Sequence, residues 1–158
     1  MKTYIVNWNG PYDIERLDKG YNKSIIYLIT GFQKSRKTIS TYIGITERCV
    51  TSRFYDRNHK HCLITRDKKI WLGTVKNKKP NRNDLELLES LLVYFWQCDL
   101  NQKKKVNPPE PTAIINRWYN TNNQLRKRIS HPAQHLDDVI YWDGEYWHHS
   151  QRMDVFED

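Results

Sequence analysis

The sequence predicts one α/β domain of the α+β kind. Its expected centre is a small antiparallel three-stranded sheet flanked by helices, with an extra N-terminal segment and a C-terminal β-hairpin. Three observations carry this. The chain has 158 residues, the length of one domain, and can bury a sizeable core without added staples. Its apolar segments are short and follow the order strand, strand, helix, strand, helix. Near the C-terminus, Asp143-Gly144 between aromatic-rich runs signals a tight hairpin turn of type I′.

Taken in order, residues 1–23 carry no assigned element and stand as an addition to the core. Ser24 to Thr30 is a β-branched, apolar run suited to a central strand. A polar loop with Gly31 and the cluster Lys34, Arg36 and Lys37 follows, then a second strand over residues 39–45, joined as an antiparallel hairpin. Thr46 can cap a helix running through Arg48, Val50, Arg53, Phe54 and Arg57, with Val50 and Phe54 on its buried side. A third strand is expected over residues 70–75. The clearest helix covers residues 84–97: Asn83 and Glu86 have capping-box spacing, and Leu85, Leu88, Leu92 and Phe95 form a wide apolar stripe. Beyond a Pro-rich break, a further helix is expected over residues 112–119.

Charge narrows the function classes. The formal net charge is +8, but residues 1–130 carry a net +14 and residues 131–158 a net −6. Such a basic body attracts polyanions, and twenty aromatic residues offer both core bulk and base-stacking surface. No segment has the roughly 18 uninterrupted apolar residues of a spanning helix, and no signal-peptide run opens the chain, so a cytoplasmic protein without membrane contact is expected. Cys49, Cys62 and Cys98 are odd in number and widely spaced, which argues against a disulfide framework. Cys49, His59, His61 and Cys62 match no common zinc spacing, so a loop with a buried thiol is the simpler reading.

Five features, in order, resemble the GIY-YIG nuclease superfamily over residues 24–101. Tyr42-Ile43-Gly44 reproduces the second half of the signature. Ile25-Ile26-Tyr27 keeps the Ile and Tyr of the first half but has Ile25 where the family usually has Gly. Arg53 follows Gly44 by nine residues on a helix, Glu89 lies on the later helix, and Asn101 follows Glu89 by twelve. Many members carry His or Tyr four residues after the arginine; here that position is Arg57, and His59 lies two residues further on.

The resemblance implies metal-dependent hydrolysis of a phosphodiester. Tyr27 would act as base or water-orienting group with Tyr42 as its hydrogen-bonded partner, Arg53 would bind phosphate, and Glu89 would hold one divalent cation, Mg2+ or Mn2+. Arg57, His59 and Asn101 would support them. These residue types suit the chemistry. A guanidinium fork fits phosphate oxygens, and magnesium needs little more than one carboxylate plus substrate oxygens and waters. A tyrosine base is the awkward role, because an ordinary phenol has a pKa of about 10. Ordinary strand aromatics, a solvated helix arginine and a helix-capping Asn101 are the competing readings. The expected partner is DNA, with RNA and a homodimer left open, in a restriction or mobile-element setting. Its phosphates would meet Lys34, Arg36, Lys37, Lys76, Lys78, Lys79, Arg82, Lys103, Lys104, Lys105, Arg126, Lys127 and Arg128. The alternative is a catalytically degenerate nucleic-acid-binding protein.

Overall fold

A computed structural model describes residues 1–17, 24–55, 59–102, 108, 110–126 and 136–150. Its centre is one seven-stranded mixed sheet: β1 (Lys2–Tyr12), β2 (Ile25–Gln33), β3 (Ile39–Thr46), β4 (Ile64–Val75), β5 (Thr112–Tyr119), β6 (Val139–Trp142) and β7 (Trp147–Ser150). The order across the sheet is β3-β2-β4-β1-β5-β6-β7. Every neighbouring pair is antiparallel except β1 and β5. Among the described residues there are two α-helices, α1 (Val50–Phe54) and α2 (Arg82–Phe95).

This corrects the expected three-stranded sheet flanked by helices. The three expected strands form as β3-β2-β4, but they are one end of a wider sheet. Residues 1–12, left without an element, become β1 between β4 and β5, with Tyr4, Val6 and Trp8 buried on one face. Residues 112–119 form a strand and not a helix. Thr112, Ile114, Asn116 and Trp118 are buried in strict alternation, the period of a strand, and pair in parallel register with β1. The C-terminal hairpin does form. Trp142 pairs with Trp147, however, so the connection has four residues in place of a two-residue type I′ turn. The Asp143 Oδ1 accepts the amide N–H groups of Glu145 and Tyr146 at 2.8 and 2.7 Å, which closes that longer loop.

Two cores lie on opposite faces of the sheet. On one face α2 packs Leu85, Leu88, Leu91 and Leu92 against Ile26, Leu28, Ile43, Ile45 and the tryptophans Trp8, Trp71, Trp96 and Trp118. On the other, Ile25, Tyr27, Ile29, Ile70 and Leu72 meet Leu17, Val50, Phe54 and Ile64. Alternation along β2 divides its side chains between these two cores, which explains why the strand reads as continuously apolar. Helix α2 begins two residues earlier than expected. Asn81 is its N-cap, exchanging hydrogen bonds with Asp84, whereas Glu86 pairs with Arg82 at 2.7 Å and has no capping role. Helix α1 is a single short turn with Cys49 at its N-cap position; the Thr46 hydroxyl instead accepts the Arg48 amide N–H at 3.1 Å.

Candidate functional site

The candidate site centres on the second face, around Tyr27. Tyr27 on β2 lies directly across from Gly44 on β3, and Tyr42 lies two residues before Gly44 on the same face. A Cβ on Gly44 would overlap the hydroxyl and ring carbons of Tyr27, so only glycine leaves room for this ring. The Gly of Tyr42-Ile43-Gly44 therefore has a packing cause that spacing alone did not disclose. Ile25, where the resembled family has Gly, is fully buried on the Tyr27 face, in the same cluster as Leu17 and Val50.

Around Tyr27 the chain gathers side chains from separate elements. Its hydroxyl is 2.9 Å from His59 Nε2, just before the 3₁₀ turn Lys60–Leu63. The Tyr27 and Tyr42 rings are 6.3 Å apart, and His59 meets Tyr42 edge-on at 5.2 Å. Phe54 packs edge-on against Tyr27 at 5.2 Å, which places the end of α1, next to Arg53, beside the hydroxyl. Arg53 is exposed, and Glu89 is half-buried in the third turn of α2.

The electrostatics show that these groups act on one another. Burial pushes the Tyr27 hydroxyl above the ordinary phenol range. The neighbouring Tyr42 adds to that rise, hydrogen bonding with Arg53 and its charge oppose it, and the Glu89 carboxylate adds to it. Tyr42 is also raised, by burial first and by Glu89 second, against the charge of Arg53 and hydrogen bonding with Tyr27. Tyr27, Tyr42, Arg53, His59 and Glu89 are thus one interacting group, although 62 positions separate Tyr27 from Glu89. Of the two roles expected for Tyr27, base or water-orienting group, the upward shift of its hydroxyl favours the second.

The proton of His59 follows from its partners. Nδ1 accepts the amide N–H of His61 at 3.1 Å, so the neutral ring carries its proton on Nε2. That N–H donates to the Tyr27 oxygen, leaving the phenol O–H to donate elsewhere.

Asn101 does not cap α2. Its Oδ1 accepts the Ile43 N–H at 2.8 Å and its Nδ2 donates to the Ile43 carbonyl at 2.7 Å. Asp99 accepts the Thr41 N–H at 2.6 Å, so residues 99–101 close the outer edge of β3.

No family model, curated protein or solved structure matches this chain. The site is therefore read from its own geometry.

Several expected phosphate contacts are engaged inside the molecule. The Lys78 ammonium donates to Asp84 at 2.8 Å and stands 4.3 Å above the Tyr4 ring, Arg82 pairs with Glu86, and Arg126 donates to the Gly10 carbonyl at 3.0 Å. Arg36 is exposed at the β2–β3 loop and reaches Asp99 at 3.5 Å. Lys34, Lys37, Lys76 and Lys79 are exposed. Arg57, Lys103, Lys104, Lys105, Lys127 and Arg128 lie outside the described residues. Arg66 was missed by sequence reading. It is exposed on β4, donates to the Arg36 carbonyl at 3.0 Å and covers the Phe32 ring, so it anchors the basic hairpin. Among the described residues no helix is long and apolar enough to cross a membrane.

The donor set suits a hard cation. Glu89 supplies one carboxylate whose charge is felt by both phenols, and magnesium takes oxygen ligands while keeping several waters. No group of three or more His, Cys, Asp or Glu gathers among the described residues. The ring nitrogens of His59 and His61 all have hydrogen-bond partners.

Proposed function

We propose that this chain is a divalent-cation-dependent endonuclease that hydrolyses DNA phosphodiesters, working in the manner of the GIY-YIG nucleases its motifs resemble. The observation carrying this reading is the meeting of Tyr27, Tyr42, Arg53 and His59 on one face of the sheet, with the Glu89 carboxylate of α2, the helix packed on the other face, acting electrostatically on both phenols. A structural aromatic cluster has no need of an exposed arginine and a carboxylate acting on the same phenols.

In this reading Arg53 binds the scissile phosphate through its planar fork and offsets charge that builds on the non-bridging oxygens. Tyr27, neutral and receiving a hydrogen bond from His59, holds the attacking water by its own O–H. Tyr42 orders the other side of that water. Glu89 would hold a Mg2+ or Mn2+ ion, which supplies Lewis acidity to the phosphate and leaving oxygen when bound. Lys34, Arg36 and Lys37 on the β2–β3 loop would guide the nucleic acid.

One observation favours a non-cleaving nucleic-acid binder: the Tyr27 hydroxyl is pushed away from ionisation. A plasmid-nicking assay with magnesium or manganese separates the two. Metal-dependent nicking by the wild type, lost in Glu89→Ala and Arg53→Ala, is the expected result. Salt-sensitive DNA binding without nicking would favour the binder, and nicking that survives both substitutions would exclude this site.

A further inference from the structure

We infer that His61 is a positioning residue of this site, a neutral imidazole whose ring holds the end of the Arg53 helix while its backbone fixes the proton of His59. The inference rests on the nuclease reading above for its kinetic consequence, but its structural content stands separately. His61 is 3% exposed. Burying a polar ring is costly unless both nitrogens are satisfied, and here both are.

Its Nε2 is 2.8 Å from the Phe54 carbonyl, an acceptor only, so Nε2 carries a proton. Its Nδ1 is 3.2 Å from the Lys68 ammonium, a donor only, so Nδ1 carries a lone pair. The two contacts define one tautomer of a neutral ring. Facing an ammonium also opposes a second positive charge on the imidazole. The Phe54 carbonyl belongs to the residue after Arg53, at the end of a helix too short to hold itself by its own hydrogen bonds. The His61 ring packs edge-on to Phe54 at 5.3 Å and lies 4.9 Å from the His59 ring.

At the same residue, the His61 amide N–H donates to His59 Nδ1 at 3.1 Å, making His59 the cap of the 3₁₀ turn. One residue thus ties together the arginine-bearing helix, the histidine facing Tyr27, and Lys68 on β4. A leucine of similar bulk would fill the space but hold neither the carbonyl nor the ammonium. The arrangement therefore sets the placement of Arg53 and His59 without supplying a group to the substrate.

The test uses the full chain carrying His61→Leu, His61→Gln or Lys68→Met. Long-range 1H–15N spectra read the ring protons, and nicking kinetics are followed with Mg2+. The wild type should show Nε2–H rings for both His59 and His61. His61→Leu should lower kcat roughly tenfold or more with KM for DNA changed less than about twofold, because misplacement by a fraction of an ångström affects chemistry before binding. His61→Gln, with one donor and one acceptor, should recover most of the rate and the His59 signature. Lys68→Met should leave the chain folded while averaging the His61 tautomer.

Three outcomes would overturn the inference: His61→Leu cleaving at the wild-type rate with an unmoved His59 spectrum, equal impairment in the Leu and Gln variants, or an unchanged His61 ring in Lys68→Met. If His61→Leu does not fold, the Gln and Lys68 variants still decide it. Should the wild type not cleave at all, the nuclease reading fails, while the ring spectra continue to test the positioning role.

Discussion

Gly44 is a position where one missing side chain makes room for another residue's function. Its Cα lies against the Tyr27 ring, so Gly44→Ala must displace the phenol or the strand. Overpacking of this kind costs about 1–3 kcal/mol. The expected outcome is a lower midpoint in chemical denaturation together with at least a tenfold loss of nicking, the scale at which a misplaced catalytic group is felt. Tyr27→Phe makes the complementary case. It removes the hydroxyl that receives the His59 N–H but keeps the ring, so under the proposed nuclease function nicking should fall sharply while the edge-on contact with Phe54 survives. The two residues were visible in the sequence as motif letters. Their mutual dependence was not, because cross-strand pairing brings together positions 17 apart in the chain.

At the scale of elements, β3 is one of the two edges of the sheet, and residues 99–101 close it. Asn101→Ala removes both hydrogen bonds to Ile43 and leaves that N–H in want of a partner. A loss of about 1–3 kcal/mol is expected from urea unfolding, with faster amide exchange at Thr41 and Ile43. Helix α2 offers a second check. Asn81→Ala should cost about 1 kcal/mol as the true N-cap, whereas Asn83→Ala should cost little, reversing the expectation from the Asn83 and Glu86 spacing. That spacing misled because Asn81 and Asp84 fit the same pattern two residues earlier. The apolar stripe of α2 and the runs of β2 and β3 were legible, since each has a period and a length that suit one element. Residues 112–119 were misread because a short segment rich in apolar residues fits either period, and β1 supplied the partner that decided for a strand.

The whole molecule joins a basic body to an acidic C-terminal portion. If the body binds DNA as proposed, affinity should fall steeply with salt, with a logarithmic slope near 0.9 per phosphate neutralised. Substituting Lys34 and Lys37 by Ala should reduce that slope by about two in a fluorescence titration. Lys78→Ala should instead lower stability and leave the slope nearly unchanged, because Lys78 is committed to Asp84.

Among the described residues four carboxylates are held below the ordinary range: Asp13 by Lys69, Glu110 by Lys2, and Asp84 and Asp143 by richer hydrogen bonding. Burial alone would raise Asp84, but hydrogen bonds from Lys78, Tyr4 and the Asn81 backbone overcome it and leave its pKa lowered. Asp143 is lowered to about 2 by the Tyr146 amide, His148 and the Glu145 amide. Both folded values lie below the unfolded carboxylate value of about 3.9, so their stabilisation is complete above that pH and lost as pH falls through the folded values. Melting temperature should therefore decline from about pH 4 toward pH 2, less steeply in Asp84→Asn.

What the sequence determined by itself was local or additive: the basic body, the leucine stripe of α2, the runs that became β2, β3 and β4, and the order of Tyr27, Tyr42, Arg53, Glu89 and Asn101. Periodicity, charge and residue type need no knowledge of distant partners. Tertiary structure decided the rest. It placed β1 between β4 and β5, turned residues 112–119 into a strand and withdrew Lys78 and Arg82 into ion pairs. It also set His59 against Tyr27. Each of those outcomes depends on groups distant in sequence or on competition between partners. Hydrogen bonds and charges settle such competition only once the chain has closed on itself.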